Sequence, residues 1–242
     1  MRYGIFSDIH SNLEALEAVI KAYRRESIDI YLCVGDIVGY AADPSNCIQL
    51  VKKISSVVIA GNHDWAAVDL FPIDYFNPVA KRAIIWTKTK LSEEEKRYLG
   101  SLSLTYRNDN LSLVHGTLDS PQDFKYMDEV FDAEESFKIL ENNICFIGHS
   151  HISGVFVKDD QNKVYYYEPT HLKLSKNYQY IVNVGSVGQP RDGNPFACYS
   201  VFDTEKKEVW IKRVDYDIKS SYKKIIEAGL PVFLAERLYL GR

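Results

Sequence analysis

The chain has 242 residues, 46% hydrophobic and 26% charged, with 29 basic against 33 acidic side chains and a net charge of -4. That composition excludes disorder as the main state, and the length supports one domain with a substantial core, or two small ones. The acidic balance disfavours long nucleic acid as a partner, and no apolar run approaches the roughly 20 residues that span a bilayer, so no membrane partner is expected.

In chain order, residues 3–7 form a short apolar run read as a strand; the start MRYGIF is a strand running into Asp8, not a signal peptide. Leu13, Leu16, Ala18, Val19 and Ile20 make a helical stripe, with Ser11 or Asn12 as its cap. Residues 30–34 predict the next strand, 47–54 a helix entered after Pro44, and 57–60 a third strand. This βαβαβ order implies parallel strands with helical crossovers. Residues 65–76 read as irregular, 78–88 as a helix, and Ser92 followed by three Glu as the capped start of another that Gly100 closes. Residues 111–114 and 144–147 are buried strands, and the run 132–135 is a helix start. Beyond Gly154 the texture becomes meander-like, with strands expected at 155–157, 164–167, 180–184, 199–202 and 209–214, then a helix at 218–228. The expectation is a four-layer α/β sandwich, two mixed β-sheets packed face to face with helices outside. It forms one domain over 1–242, with a helical excursion at 65–105 and a C-terminal helical segment at 215–242. Cys33, Cys47, Cys145 and Cys198 form no CxxC pair and read as reduced thiols of a cytoplasmic protein.

One pattern recurs: an apolar strand ends and a metal-capable residue follows at once. YGIFS leads into Asp8-Ile-His10, IYLCV into Gly35-Asp36, and VVIA into Gly61-Asn62-His63-Asp64; LSLV leads into His115-Gly116, and ICFI into Gly148-His149-Ser150-His151. Ligand sites of α/β sheets lie beyond the carboxyl ends of the strands, so five strand ends would deliver these tips to one place. Imidazoles with carboxylates and no thiolate suit manganese, iron, nickel or zinc, and do not choose among them. One Asp carboxylate can bridge two such ions, which together lower the pKa of a shared water and clamp a phosphoryl group. Taken singly, each motif reads equally well as a turn or a local hydrogen bond; all five in order do not.

The series resembles the calcineurin-like metallophosphoesterase superfamily over residues 8–151, and the loop 183–192 (Asn183-Val-Gly-Ser-Val-Gly-Gln-Pro-Arg191-Asp192) resembles a segment of its compact prokaryotic members. The resemblance implies a β-sandwich flanked by helices and two divalent metal ions. One would be held by Asp8, His10, Asp36 and His151, the other by Asp36, Asn62, His115 and His149, with Asp36 bridging. It further implies that a bridging hydroxide attacks phosphorus in line, that His63 serves as general acid, and that Asp64 orients the His63 ring. The implied substrate is a small phosphoester, nucleotide-like ones included: a phosphodiester first, a phosphomonoester as a further class.

Departures narrow the branch. The second motif, Gly35-Asp-Ile-Val-Gly39-Tyr40, lacks the Arg of the Gly-Asp-x-x-x-Arg-Gly that protein Ser/Thr phosphatases and diadenosine tetraphosphatases resemble. The third keeps His63 where some small phosphodiesterases and the retromer subunit resemble Gly-Asn-Cys-Asp, which favours an enzyme over a non-catalytic protein-interaction scaffold on the same fold. Arg191, Tyr40 and Asn77 are candidate substrate-binding residues, Arg191 alternatively a surface salt bridge and Asn77 alternatively a helix cap. Phe71, Tyr75, Phe76 and Trp86 read as core packing of the excursion, or else as an aromatic wall for a base. His171 reads as a surface histidine. Oligomeric state is not legible.

Overall fold

The computed structural model describes residues 1–242. In chain order the elements are β1 (Arg2–Phe6), α1 (Leu13–Tyr23), β2 (Ile30–Cys33), α2 (Pro44–Ile54), β3 (Val57–Val58), α3 (Asn62–Ala66), α4 (Pro78–Lys90), α5 (Glu93–Gly100), β4 (Thr105–Arg107), β5 (Ser112–Val114), α6 (Val130–Ile139), β6 (Ile144–Ile147), β7 (Gly154–Lys158), β8 (Val164–Tyr167), β9 (His171–Lys173), β10 (Gln179–Asn183), β11 (Ala197–Asp203), β12 (Glu208–Val214), α7 (Ile218–Glu227) and α8 (Val232–Glu236). No helix is long and apolar enough to cross a membrane.

The strands form two six-stranded mixed sheets, ordered β3-β2-β1-β11-β12-β9 and β4-β5-β6-β10-β7-β8. Alternation along each strand builds the layers. Tyr3, Ile5, Leu32, Val34, Leu113, Phe146, Val182 and Phe202 point between the sheets. Their neighbours Phe6, Cys33 and Val201 point out onto α1 and α2, and Val114, Cys145, Ile147 and Ile181 onto α6. Fully burying one such side chain stabilises by about 1.5–3 kcal/mol, so a one-residue register slip in any inner strand would reverse its contribution. The expected four-layer α/β sandwich is therefore the observed fold.

Three differences from the sequence reading are local. Residues 62–66 are helical, not loop, because Gly61 in an extended conformation and Asp64 at the third helical position close a capping arrangement. Strands β4 and β9 carried no alternating apolar signal, since both are edge strands with mostly exposed side chains. They exist because a neighbour offers its backbone: Thr105–Arg107 pairs with β5 and His171–Lys173 with β12.

Strands β1, β2 and β3 run parallel in one sheet, and β5, β6 and β10 run parallel in the other. Their carboxyl ends meet at one end of the sandwich, where the loops are tied to one another within each sheet and, through Gly188 and Asp8, across the two. Ile9 and His10 N–H donate to the Asp36 carbonyl at 2.9 and 3.0 Å, Gly188 N–H to the Asp8 carbonyl at 2.9 Å, and Arg191 N–H to the His151 carbonyl at 3.2 Å.

Candidate metal centre

Asp8, His10, Asp36, His149 and His151 all adopt positive φ, between 49° and 69°. Non-glycine residues rarely enter this left-handed region, and each such residue stores of order 1–2 kcal/mol. The turn bends the chain sharply off each strand end and aims five side chains at one point. Where the backbone itself must come close, glycine stands. A Cβ on Gly61 would sit 2.0 Å from Asp36 Oδ1, and one on Gly39 (φ +108°) would sit 2.5 Å from His63 Nδ1.

Six of the seven candidate ligands converge there and the seventh, Asn62, lies at an adjoining cavity; all are buried. Asp8 Oδ1 has no hydrogen-bond partner and lies 3.3 Å from His151 Nε2, 3.7 Å from His10 Nε2 and 3.9 Å from His115 Nε2. Its Oδ2 accepts the His149 N–H at 3.0 Å. Asp36 Oδ2 lies 3.5 Å from His10 Nε2 and 3.4 Å from His115 Nε2. Two groups able to hold an ion result, Asp8–His10–Asp36–His151 and Asp36–His115–His149, with Asp36 common to both. Asn62 borders the second group's His149 across an adjoining cavity, and its Oδ1 is buried without a partner.

The tautomers test whether cations fit. His10 Nδ1 lies 3.2 Å from the Val38 carbonyl, His151 Nδ1 2.6 Å from that of Gln189, and His115 Nδ1 2.7 Å from that of Val34. A carbonyl only accepts, so each Nδ1 carries a proton; in the neutral rings of His10 and His151 this leaves a lone pair on Nε2, and at His115 a bound cation would take the place of the Nε2 proton. His10 Nε2 and His151 Nε2 nevertheless face each other at 3.0 Å. Two opposed lone pairs beside two carboxylates are repulsive unless positive charge lies among them; a divalent ion meets that requirement.

The electrostatics agree. Burial holds His10, His149 and His151 well below the ordinary imidazole value, which keeps them neutral; His63 adds to this at His10, His115 at His149 and Arg191 at His151. At His115 burial acts the same way, but Asp36 and Asp8 outweigh it and raise the ring to about 9. The two acids thus draw a positive charge to the position a metal ion would occupy. Burial alone would raise Asp36, yet His115 and His63 keep its carboxyl well below the usual range. Burial, resisted by His115 and reinforced by Asp36, lifts Asp8 to about 7.

His63 packs edge-on against Phe76, with ring centroids 4.8 Å apart, and lies 4.5 Å from Tyr40 and 4.6 Å from His10. Burial lowers its ring to about 4, Asp36 resisting and Arg191 assisting. The expectation that Asp64 orients this ring is corrected by the structure. Asp64 Oδ1 accepts the N–H groups of Ile37 and Val38 at 2.9 and 3.2 Å, its Oδ2 accepts that of Gly61 at 3.1 Å, and His63 Nδ1 has no partner. The carboxylate is the capping group of a short helix and the anchor of the loop after Asp36, so it is turned away from its neighbour's ring. Burial and the Asp36 charge raise it to about 7 against those donors. Aromatic packing, not a carboxylate, holds His63.

Arg191 donates through Nη2 to Gln189 Oε1 at 3.0 Å and to the Tyr40 hydroxyl at 3.3 Å, with its guanidinium carbon 5.7 Å from the Tyr40 ring centre. It forms no ion pair, and its Nε is buried without a partner; the salt-bridge alternative is thereby set aside. Asn77 is the helix cap considered for it, its Oδ1 accepting from Val79 and Ala80 N–H at 3.0 Å each, and it also lines a cavity of about 400 Å³ beside the metal centre. Phe71, Tyr75 and Phe76 line that cavity, so for Phe71 and Tyr75 the core-packing reading is corrected; Phe76 does both, packing with Trp86 on the α4–α7–α8 cluster. His171 is exposed and stacks on Trp210. Sequence reasoning missed Phe124 and Tyr126, the latter stacked on His149 at 4.0 Å, and Gln189, which serves both His151 and Arg191. The available signal was position: the loop bearing both aromatics follows His115-Gly116 at a strand end.

A family model for the calcineurin-like phosphoesterase superfamily domain matches residues 1–207. An uncharacterized protein of Methanocaldococcus jannaschii is 37% identical over 248 residues, covering 99% of this chain and 98% of its own. The crystal structure of a metallophosphoesterase from Sphaerobacter thermophilus is 37% identical with a TM-score of 0.89, covering 100% of this chain and 99% of that one. A hypothetical protein of Pyrococcus horikoshii shares the fold at 22% identity, with a TM-score of 0.81 over 100% of this chain and 98% of its own.

Proposed function

The chain belongs to the calcineurin-like phosphoesterase superfamily, and we propose that it is a dinuclear metal-dependent hydrolase of small phosphodiesters, with phosphomonoesters as a second substrate class. The observation that carries this reading is the pair of ligand groups that share Asp36, in which bare Nε2 atoms of His10 and His151 face each other. Asp8, His10, Asp36 and His151 would hold one ion and Asp36, Asn62, His115 and His149 the other; manganese, iron, nickel and zinc all suit such donors. Bound ions supply a water of lowered pKa and a clamp for phosphoryl oxygens.

The chain's own residues do the rest. Arg191, free of any carboxylate, is available to a phosphoryl oxygen, and Tyr40 keeps its guanidinium in place through the hydroxyl contact. Asn77, on the cavity wall, contacts the ester arm that enters there. His63 Nδ1 is packed against Gly39, which leaves Nε2 as the nitrogen turned to the cavity and able to hand a proton to the leaving oxygen. An anionic phosphate arriving beside His63 opposes the lowering of its ring and favours the imidazolium that this role requires. Asp64 has no part in the proton transfer. The four cysteines are buried and free, in keeping with a reducing, cytoplasmic setting.

The test is metal analysis followed by assay of chromogenic phosphodiesters and phosphomonoesters with added manganese. Turnover dependent on about two bound ions per chain is expected. Absence of turnover of either ester by protein carrying both ions would overturn the enzymatic reading in favour of an interaction scaffold.

A further inference from the structure

The cavity beside the metal centre is walled by Phe71, Tyr75, Phe76, Phe124 and Tyr126, and His63 forms part of the same wall. The rings are arranged as a cage. Phe71 meets Phe76 at 83° and Phe124 at 88°, with centroids 6.0 and 5.1 Å away, so the enclosed space is bounded by both faces and edges. Tyr75 is 79% exposed and Tyr126 50% exposed, so both rings are open to an incoming flat group. Asn77, Asp123 and Lys125 put hydrogen-bonding groups among the rings. A purely aliphatic occupant would use none of these groups, whereas an aromatic heterocycle uses the faces for stacking and the polar groups for its ring nitrogens and exocyclic substituents.

We infer that this cavity binds the nucleobase of the departing alcohol, so that the substrate is a nucleoside phosphodiester and the nucleoside is the group released. The assignment of sides rests on the proposed role of His63. That ring turns Nε2 toward the aromatic cavity, so the oxygen it protonates belongs to the arm lying there. A second cavity, which shares Tyr126 with the first, is lined by Arg191, Asp128, Ser150 and Glu168. With Arg191 engaged by the phosphoryl group under attack, the two acids there suit a small uncharged retained arm and disfavour another phosphate. In the step, a water oxygen bonds to phosphorus, the bond from phosphorus to the nucleoside oxygen breaks, and that oxygen takes the His63 proton. The water's surplus proton passes to solvent, from which His63 is reprotonated. The products are nucleoside and the monoester of the retained arm.

The asymmetric diester adenosine 5′-(methyl phosphate) distinguishes the two directions, because its two alcohols are leaving groups of similar intrinsic quality. The wild-type enzyme with both ions should give adenosine and methyl phosphate; adenosine monophosphate and methanol would overturn the assignment. Methyl trifluoroethyl phosphate, an activated diester without a ring, separates the two levels of the reading. Turnover of it would uphold the phosphodiesterase reading, and hydrolysis of dimethyl phosphate, whose alcohol leaves as poorly as the nucleoside, at a kcat/KM equal to or above that of the adenosine ester would overturn the nucleobase inference. Failure of the adenosine and trifluoroethyl esters alike would overturn the enzymatic reading, and the inference would then be decided by binding alone. Saturation-transfer NMR with adenosine against ribose, on the protein without added metal, should show contact through the adenine protons only. Phe71→Leu and, at an exposed position that cannot unfold the chain, Tyr75→Ala should each weaken adenosine roughly 5-fold or more, from the usual strength of base–aromatic stacking. No adenosine binding, or equal binding by wild type and both variants, would overturn it.

Discussion

The Asp36 carboxylate accepts the backbone N–H of His63 through Oδ1 at 2.9 Å, while its Oδ2 lies between His10 and His115. One side chain therefore joins the two candidate ion sites to the start of the helix that carries the candidate acid. Asp36→Asn keeps an oxygen for the His63 N–H and removes the charge shared by both ions. The expected outcome is a folded protein with metal content well below one ion per chain by elemental analysis and at least about 100-fold less activity. Two retained ions would show that Asp36 does not bridge.

His63→Ala should retain both ions, since no candidate ligand contacts the His63 ring through a hydrogen bond. Turnover of nucleoside and alkyl esters should fall by roughly 10²–10⁴, and that of nitrophenyl esters much less, because nitrophenolate departs without a proton. Equal losses on both ester types would make His63 a phosphate-positioning residue and remove the general-acid role.

Asp64→Ala should act on stability. It leaves the N–H groups of Ile37, Val38 and Gly61 without their acceptor in a buried loop. At about 1–3 kcal/mol for each unsatisfied group, the loss is at least about 3 kcal/mol, or roughly 6–12 °C in Tm for a chain of this size. Unchanged Tm with a selective loss of alkyl-ester turnover would restore an orienting role for Asp64.

Arg191→Ala should lower kcat/KM by roughly 10- to 150-fold, the loss of one charged hydrogen bond of about 1.5–3 kcal/mol. Arg191→Lys should recover only part of it, because an ammonium cannot keep the contacts to Gln189 and Tyr40 while reaching a phosphoryl oxygen. Full activity in the alanine variant would exclude Arg191 from substrate binding.

Chelation should destabilise the fold as well as abolish activity. Ions at about 100 times their Kd contribute about 2.7 kcal/mol, so their removal lowers Tm by roughly 5–11 °C, and added manganese restores it. The ligands bind in their deprotonated forms, so acid should release the ions too. A Tm insensitive to chelator, in protein shown to have carried metal, would mean that the cluster of Asp8, His10, Asp36 and His151 is not where the ions bind.

The sequence by itself determined the fold class and the candidate ligands. Both are short-range properties: apolar runs such as 144–147 mark inner strands, and a His, Asp or Asn directly after such a run stands at the strand's carboxyl end. Tertiary structure decided what lies next to what. Asp64 adjoins His63 in the chain, yet the capping geometry of α3 sends its carboxylate to the Ile37–Val38 backbone, a partner 26 or 27 residues away. Phe71 and Phe124 look like unrelated core residues until two loops more than fifty positions apart bring their rings to 5.1 Å and open a cavity between them. Composition and periodicity report which side chains avoid water and on which face of an element they stand. They carry no record of side-chain direction off a left-handed strand end, nor of which distant loop supplies the opposite wall, because both are set by packing between elements and not within them.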